Sequence, residues 1–251
     1  MDILFLEAPF TGEVSLNQKT IQFLKDKKVK AVGLYASVQF CNNLDRVKKQ
    51  LKELKIEIIS SLPDRTHVSH QLLGCDNYYN SLRLPQKEIS KIEYYLYIGD
   101  GKFHPLALVY GQKDLVELKE IICNDPIGKN FQLLDHSFVK KILQKYRASL
   151  LKFLNAKEIG VLVTIKPGQE QFRPSLFLEK KYPNKQFHYF IDNVISFDQL
   201  ENFPFIQLWV NTACPRVGFD DQENFQKGVI NLNDALMAEE ILSKESILNQ
   251  L

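Results

Sequence analysis

Hydrophobic and polar positions alternate along this chain between two periods. Short apolar runs at Ile3–Ala8, Ala31–Ser37, Ile56–Ser60, Tyr94–Ile98 and Leu118–Cys123 have the length and the β-branched or aromatic content of buried strands. Between them lie stretches of helical period. Val14–Lys28 carries Leu16, Ile21, Phe23 and Leu24 at roughly helical spacing, and Leu44–Leu54 carries Leu44, Val47, Leu51 and Leu54 at steps of three or four. A short helix is expected from Pro105. The second half repeats the scheme. A long amphipathic helix over Ser137–Leu154 precedes a strand at Glu158–Ile165, a helix at Arg173–Lys181 and a strand at Phe187–Ile191. A short helix at Phe197–Asn202, a strand at Phe205–Asn211 and a helical tail from Asn233 complete it. Strands alternating with helices imply parallel sheets covered by helices. The fold expected is therefore α/β: two tandem small parallel-sheet units flanked by helices, over residues 1–126 and 127–251. Their boundary is placed at Asn124-Asp125-Pro126.

Composition narrows the function classes. The 251 residues, 45% hydrophobic and 25% charged, suit a soluble globular protein of one or two domains. A net charge of +2, with acids interleaved in lysine runs such as KKQLKELKIE, argues against direct nucleic-acid binding. No apolar run approaches the roughly 20 residues that span a bilayer, so no membrane role is expected. The opening MDILFLEAPF has no basic region and reads as a strand rather than a signal peptide. Four cysteines without CxxC spacing point to a reducing cytoplasm, where thiols are free, catalytic or metal-bound.

The candidate chemistry lies where strands end. Trp209–Asp221, WVNTACPRVGFDD, begins as a strand and breaks at Cys214-Pro215, because proline cannot donate to a sheet. Cys214 is thus expected at a strand's carboxyl end, where open α/β sheets bind ligands. The long loop Leu62–Leu73, with Pro63 and two histidines, runs into Gln71-Leu72-Leu73-Gly74-Cys75-Asp76. A third stretch, Gly99-Asp100-Gly101-Lys102-Phe103-His104-Pro105, follows the Tyr94–Ile98 strand. A fourth, Thr164-Ile165-Lys166-Pro167-Gly168-Gln169, follows Glu158–Ile165. His67 and His70 have no cysteine pair at zinc spacing, so zinc is not expected.

These four stretches, in this order, resemble the radical diphthamide synthase family, the 2-(3-amino-3-carboxypropyl)histidine synthases. Gln71–Cys75 resembles the second cysteine motif of that family, and Ala213-Cys214-Pro215-Arg216 the third. The other two resemble its GxGxFHP and SIKxGQ turns. The resemblance covers essentially the whole chain but not the whole family protein. Residues 1–126 resemble the second of three family units and 127–251 the third, so the first, with its own cysteine, has no counterpart here.

The resemblance implies a [4Fe–4S] cluster held by one cysteine per unit. It also implies that S-adenosylmethionine donates a 3-amino-3-carboxypropyl group to a histidine of elongation factor 2. It makes Cys75 and Cys214 iron ligands. The third ligand is open between Cys41, which lies past the second predicted strand, and a thiol of another polypeptide. Cys123 reads as a plain thiol. Arg216 suits the methionyl carboxylate of S-adenosylmethionine or an ion pair with Asp220 or Asp221. His104, with Gly99 and Gly101, suits a polar ligand edge or is a structural histidine. Lys166 and Gln169 either hold the same ligand or belong to an ordinary turn. A unit without its neighbour exposes apolar surface, so a homodimer or a heteromer with a related subunit is expected.

Overall fold

The structure, a computed structural model, describes residues 9–134, 136–166, 168–219, 225 and 227–251. The strand expected at Ile3–Ala8 lies outside them. The chain is mixed α/β and divides into two compact units. One ends at Lys113 and resumes over Glu117–His136; the other takes Asp114–Val116 and Ser137–Leu251.

The first unit is built on β1 (Ala31–Ala36), β2 (Glu57–Ile59), β3 (Tyr94–Ile98), β4 (Glu120–Asp125) and β5 (Asn130–Leu133). Its helices are α1 (Gln18–Asp26), α2 (Asp45–Glu53), α3 (Gln86–Ile89) and α4 (Phe103–Gly111). The strand order is β2-β1-β3-β4-β5, parallel throughout except for β5. The register aligns Tyr35 with Tyr97 and Tyr97 with Cys123. Alternation along the strands separates two kinds of core. Val32, Leu34, Ala36, Leu96, Ile98 and Ile122 join Leu24 of α1 and Val47 and Leu51 of α2 in one aliphatic cluster. Tyr35, Tyr95 and Tyr97, out of phase with them, are buried on the opposite face.

Two boundaries differ from the sequence expectation, each for a local reason. The helix expected from Val14 starts at Gln18, because the Asn17 side chain accepts from Thr20 N at 2.8 Å and caps it. Val14 and Leu16 are buried in the approach to it. The strand expected to close before Asn124-Asp125-Pro126 includes Asn124 and Asp125. The Asp125 carboxylate then accepts the N–H groups of Ile127 and Gly128, each at 2.9 Å, and turns the chain back into β5. The unit therefore extends to His136 rather than stopping at residue 126.

The second unit comprises α5 (His136–Asn155), β6 (Glu158–Thr164), α6 (Phe172–Ser175), α7 (Phe177–Lys181), β7 (Gln186–Asp192), α8 (Phe197–Leu200), β8 (Leu208–Asn211) and β9 (Val229–Asn231). Three short helices follow: α9 (Leu232–Leu236), α10 (Ala238–Ser243) and α11 (Ile247–Gln250). All four strands are parallel, in the order β7-β6-β8-β9. Counted within its own unit, each sheet thus begins second-first-third-fourth, the doubly wound arrangement. β9, only three residues long, was not expected from the sequence. Trp209 of β8 is fully buried, packed against Phe190 at 4.8 Å and Phe203 at 6.3 Å. Among the described residues no helix is long and apolar enough to cross a membrane.

Candidate functional site

In a doubly wound sheet the chain reverses its direction of travel between the first and third strands, and the loops leaving their carboxyl ends splay apart to form a ligand crevice. In the first unit that point lies between β1 and β3, in the second between β6 and β8. Three of the four motifs follow a strand that borders one of these points, and the fourth, Gln71–Cys75, is drawn back beside one.

In the first unit the loop after β2 is drawn back to the sheet rather than hanging free. Ala36 N–H donates to His70 O at 2.7 Å, Leu72 N–H donates to Ala36 O at 2.9 Å, and Gln71 bridges to Ala36 in parallel fashion. Gln71–Cys75 therefore lies beside the carboxyl end of β1. Asp76, fully buried, fixes the next turn by accepting Leu73 N–H at 2.8 Å, and burial pushes its carboxyl up to about 6. Cys75 itself is half-buried.

The Gly99–His104 turn follows β3 and opens α4. A side chain on Gly74 would meet the Phe103 ring at 2.2 Å, so the glycine lets the cysteine motif lie against the start of α4. His104 stands edge-on to Phe103 at 5.3 Å and stacked on Tyr97 at 6.4 Å. The structure thus brings Cys75 and the Gly99–His104 turn together within one unit.

Cys41 behaves differently. Its thiol, 6% exposed, belongs to the aliphatic cluster and donates to the carbonyl of Ser37 at 3.1 Å. Burial pushes it up to about 12, far from the thiolate that binds metal. Cys123, 8% exposed, is likewise pushed up to about 12 by burial. Position past a strand end was the argument for Cys41; the direction of its side chain gives it the surroundings of a core thiol.

His70 takes a left-handed backbone with φ of 69°. Burial first, then the charge of Lys48, lowers its pKa. The folded state therefore prefers the neutral ring, and that preference contributes stability above the ordinary value near 6.5, lost as pH falls through the lowered one. Asparagine also accepts left-handed backbone. His70→Asn should accordingly flatten the loss of thermal stability on acidification below about pH 6.5, measured by calorimetry against wild type.

In the second unit a polar network shapes the cysteine turn. The Asn211 amide donates to Cys214 O at 2.9 Å and to Asn231 Oδ1 at 2.8 Å, while Asn231 Nδ2 donates to Pro215 O at 2.9 Å. Asn231 N–H donates to the Tyr146 hydroxyl at 3.1 Å, and that hydroxyl donates to Asp234. Thr212 is anchored to Leu162 O through both its N–H and its hydroxyl, tying the turn to β6. Cys214, half-buried, precedes a single 3-10 turn over Pro215–Gly218, with Pro215 at its first position. Asn211 and Asn231 were not singled out from the sequence; an asparagine three residues before a Cys-Pro break is the available signal.

Arg216 is only 3% exposed. It stands in the 3-10 turn directly after Cys214, with its side chain buried. Asp220 and Asp221 lie outside the described residues. Lys166 is exposed and Gln169 half-buried, in the turn after β6, next to β8 in the sheet. Gln169 N–H donates to Lys166 O at 3.1 Å, and Gly168 takes φ of 77°, as a tight turn requires.

Comparison with known proteins decides the family. Residues 2–247 match the family described as "Putative diphthamide synthesis protein". This chain belongs to the diphthamide synthesis family. It is 30% identical over 197 residues to the 2-(3-amino-3-carboxypropyl)histidine synthase of Pyrococcus horikoshii, covering 77% of this chain and 53% of that protein. It is 25% identical to the mouse (Mus musculus) synthase subunit 1, covering 83% of this chain and 44% of the relative.

The crystal structure of Dph2 from Pyrococcus horikoshii superposes with a TM-score of 0.67 at 26% identity, over 92% of this chain and 63% of that one. The crystal structure of the same protein with a 4Fe-4S cluster gives the same TM-score over 90% of this chain and 63% of that one. The chain spans about half the length of the curated relatives it matches.

Among the described residues of this family member, no group of three or more His, Cys, Asp or Glu is gathered closely enough to hold a metal ion. Half-buried Cys75 and Cys214, one per unit, suit iron ligation, and none of the four cysteines is in a disulfide. Cys41 and Cys123 do not suit it. A cluster resting on three protein thiolates therefore does not fit the described residues by themselves.

Proposed function

We propose that this chain takes part, in the cytoplasm, in the first step of diphthamide biosynthesis. In that step a 3-amino-3-carboxypropyl group passes from S-adenosylmethionine to a ring carbon of a histidine in elongation factor 2. The carbon–sulfur bond of the donor breaks, a carbon–carbon bond forms, methylthioadenosine leaves and the ring carbon gives up its proton. The observation that carries the reading is the contrast among the cysteines of a family member: the two in family motifs are half-buried at strand ends, the other two are buried in cores.

Cys75 and Cys214 would be the protein's thiolates for a [4Fe–4S] cluster, with the third supplied from outside these 251 residues. Gly99, Gly101 and His104 would face S-adenosylmethionine from the first unit, and Lys166 and Gln169 from the second. Arg216, buried in the turn that follows Cys214, would meet the methionyl carboxylate of S-adenosylmethionine, with an ion pair as its alternative role. The relatives named subunit 1 support a heteromeric arrangement; a homodimer is the alternative.

The test is anaerobic iron and sulfide reconstitution of the chain alone and with a related subunit, followed by electron paramagnetic resonance and a methylthioadenosine assay. Iron and turnover are expected only in the assembly. Full turnover by the lone chain would place the third ligand within it, and no turnover in any assembly would remove the transferase reading.

A further inference from the structure

One sheet edge of this chain stands apart from the others. Among the described residues β7 pairs only with β6, so it closes its sheet. It is seven residues long, whereas the other edge strands are short: β2 and β9 have three residues each and β5 has four. A long edge invites pairing with another chain, and proteins blunt such edges with lysine, proline or a bulge. Gln186–Asp192, QFHYFID, contains neither lysine nor proline, and its register with β6 runs unbroken. Lys185, just before it, is committed elsewhere: its amine donates to the carbonyls of Phe153, Leu154 and Ala156 at 2.7, 2.8 and 2.6 Å. The edge is also apolar. Phe187, Tyr189 and Phe190 are half-buried, and Ile191 is 59% exposed. Exposed Val194 follows two residues beyond the strand, and exposed Phe205 stands edge-on to His188 at 5.1 Å.

The phase of this edge decides what can pair with it. Gln186 N–H donates to Lys157 O at 2.8 Å, so the even-numbered residues of β7 turn their backbone groups to β6. The outward groups are those of Phe187, Tyr189 and Ile191. These three are symmetric about Tyr189, which makes the edge complementary to a two-fold copy of itself. Antiparallel pairing about Tyr189 sets Phe187 opposite Ile191 of the other copy and gives each outward N–H and C=O a partner. On the other face His188 then meets Phe190, and Gln186 meets Asp192, an amide donor against a carboxylate. Asp192 is the one acid of the strand, and its two copies fall at opposite ends of the joint, so like charges do not meet.

We infer that the β7 edge is an interface with a second copy of this chain, paired antiparallel about Tyr189, so that two four-stranded sheets become one of eight. This goes beyond the proposed function: the pairing needs neither iron nor S-adenosylmethionine and holds for the chain alone.

Sedimentation equilibrium of the iron-free chain should show a dimer. Ile191→Lys places a charge in the joint and should weaken dimerisation about tenfold or more, with an unchanged circular dichroism spectrum. Cysteine crosslinking reads the register independently. Tyr189→Cys should form a disulfide between copies under mild oxidation, above the level of wild type treated alike, because the two positions would lie about 5.5 Å apart. Phe187→Cys should not, because its two copies would lie about 13 Å apart along the joint. A monomeric wild type overturns the inference. So does a dimer that Ile191→Lys leaves at full strength, or one that fails to crosslink through position 189.

Discussion

Cys75→Ser and Cys214→Ser should each strip the reconstituted assembly of its iron–sulfur signal. Turnover should fall by more than the roughly 10–100-fold that outer-shell changes at metal sites cost. Cys41→Ser and Cys123→Ser should leave iron content near wild type. The division follows from what surrounds each sulfur. A ligand must be a thiolate and must be reachable. Cys75 and Cys214 are half-buried at strand ends, whereas the thiols of Cys41 and Cys123 are buried and pushed up to about 12. A hydroxyl at position 41 can still donate to Ser37 O, as the thiol does, so that variant should lose no more than about 1 kcal/mol of stability. Iron quantitation and electron paramagnetic resonance on the four variants read the result. Loss of iron in Cys41→Ser equal to that in Cys75→Ser would return Cys41 to the ligand set.

Trp209→Ala should destabilise the second unit by about 3–5 kcal/mol, enough to threaten a domain of ordinary stability. Trp209 is fully buried, and its ring fills the space that Gly160, its partner on β6, leaves open: a side chain there would lie 2.2 Å from the indole. Truncation would leave a cavity between β6 and the aromatic group of Phe190 and Phe203. Two effects oppose each other in Trp209→Phe. The smaller ring leaves a partial void, but the indole N–H, which has no partner among the described residues, is removed with it. That variant should therefore cost only about 1–2 kcal/mol. Because this is the chain's single tryptophan, urea unfolding must be followed by circular dichroism rather than fluorescence. Equal costs for the two substitutions would mean that the cavity is not what destabilises the alanine variant.

The parallel α/β architecture was legible because buried parallel strands announce themselves as short apolar runs such as Ala31–Ala36 and Glu158–Thr164, set off by helical spacing. The pieces that were not legible are those fixed by side-chain direction or by a single turn. Asn124-Asp125-Pro126 reads as a stop, yet the Asp125 carboxylate uses it to start a hairpin. Val229–Asn231 is too short to stand out until β8 is seen beside it. That the tail is helical was legible; its division into three short helices was not. At the candidate site, sequence position placed Cys75, His104 and Cys214 at strand ends. It could not say that Cys41 turns its sulfur into the core, that Arg216 is buried, or that two asparagines 20 residues apart share a hydrogen bond beneath the cysteine turn.

The brief excursion of Asp114–Val116 into the second unit has a practical bearing on dissecting this molecule. Ile247 N–H, at the start of the last helix, donates to Leu115 O at 2.6 Å. The chain therefore passes between its two units three times, at 113/114, 116/117 and 136/137. A protease that nicks only at 136/137 would leave a fragment still carrying the 114–116 staple inside the other unit, so the halves should co-elute after cleavage. A recombinant second unit begun at Ser137 would lack Leu115, leaving the Ile247 N–H without that acceptor and weakening the last helix. Excising either half cleanly calls for a graft or a circular permutation that carries those three residues along, not a single truncation.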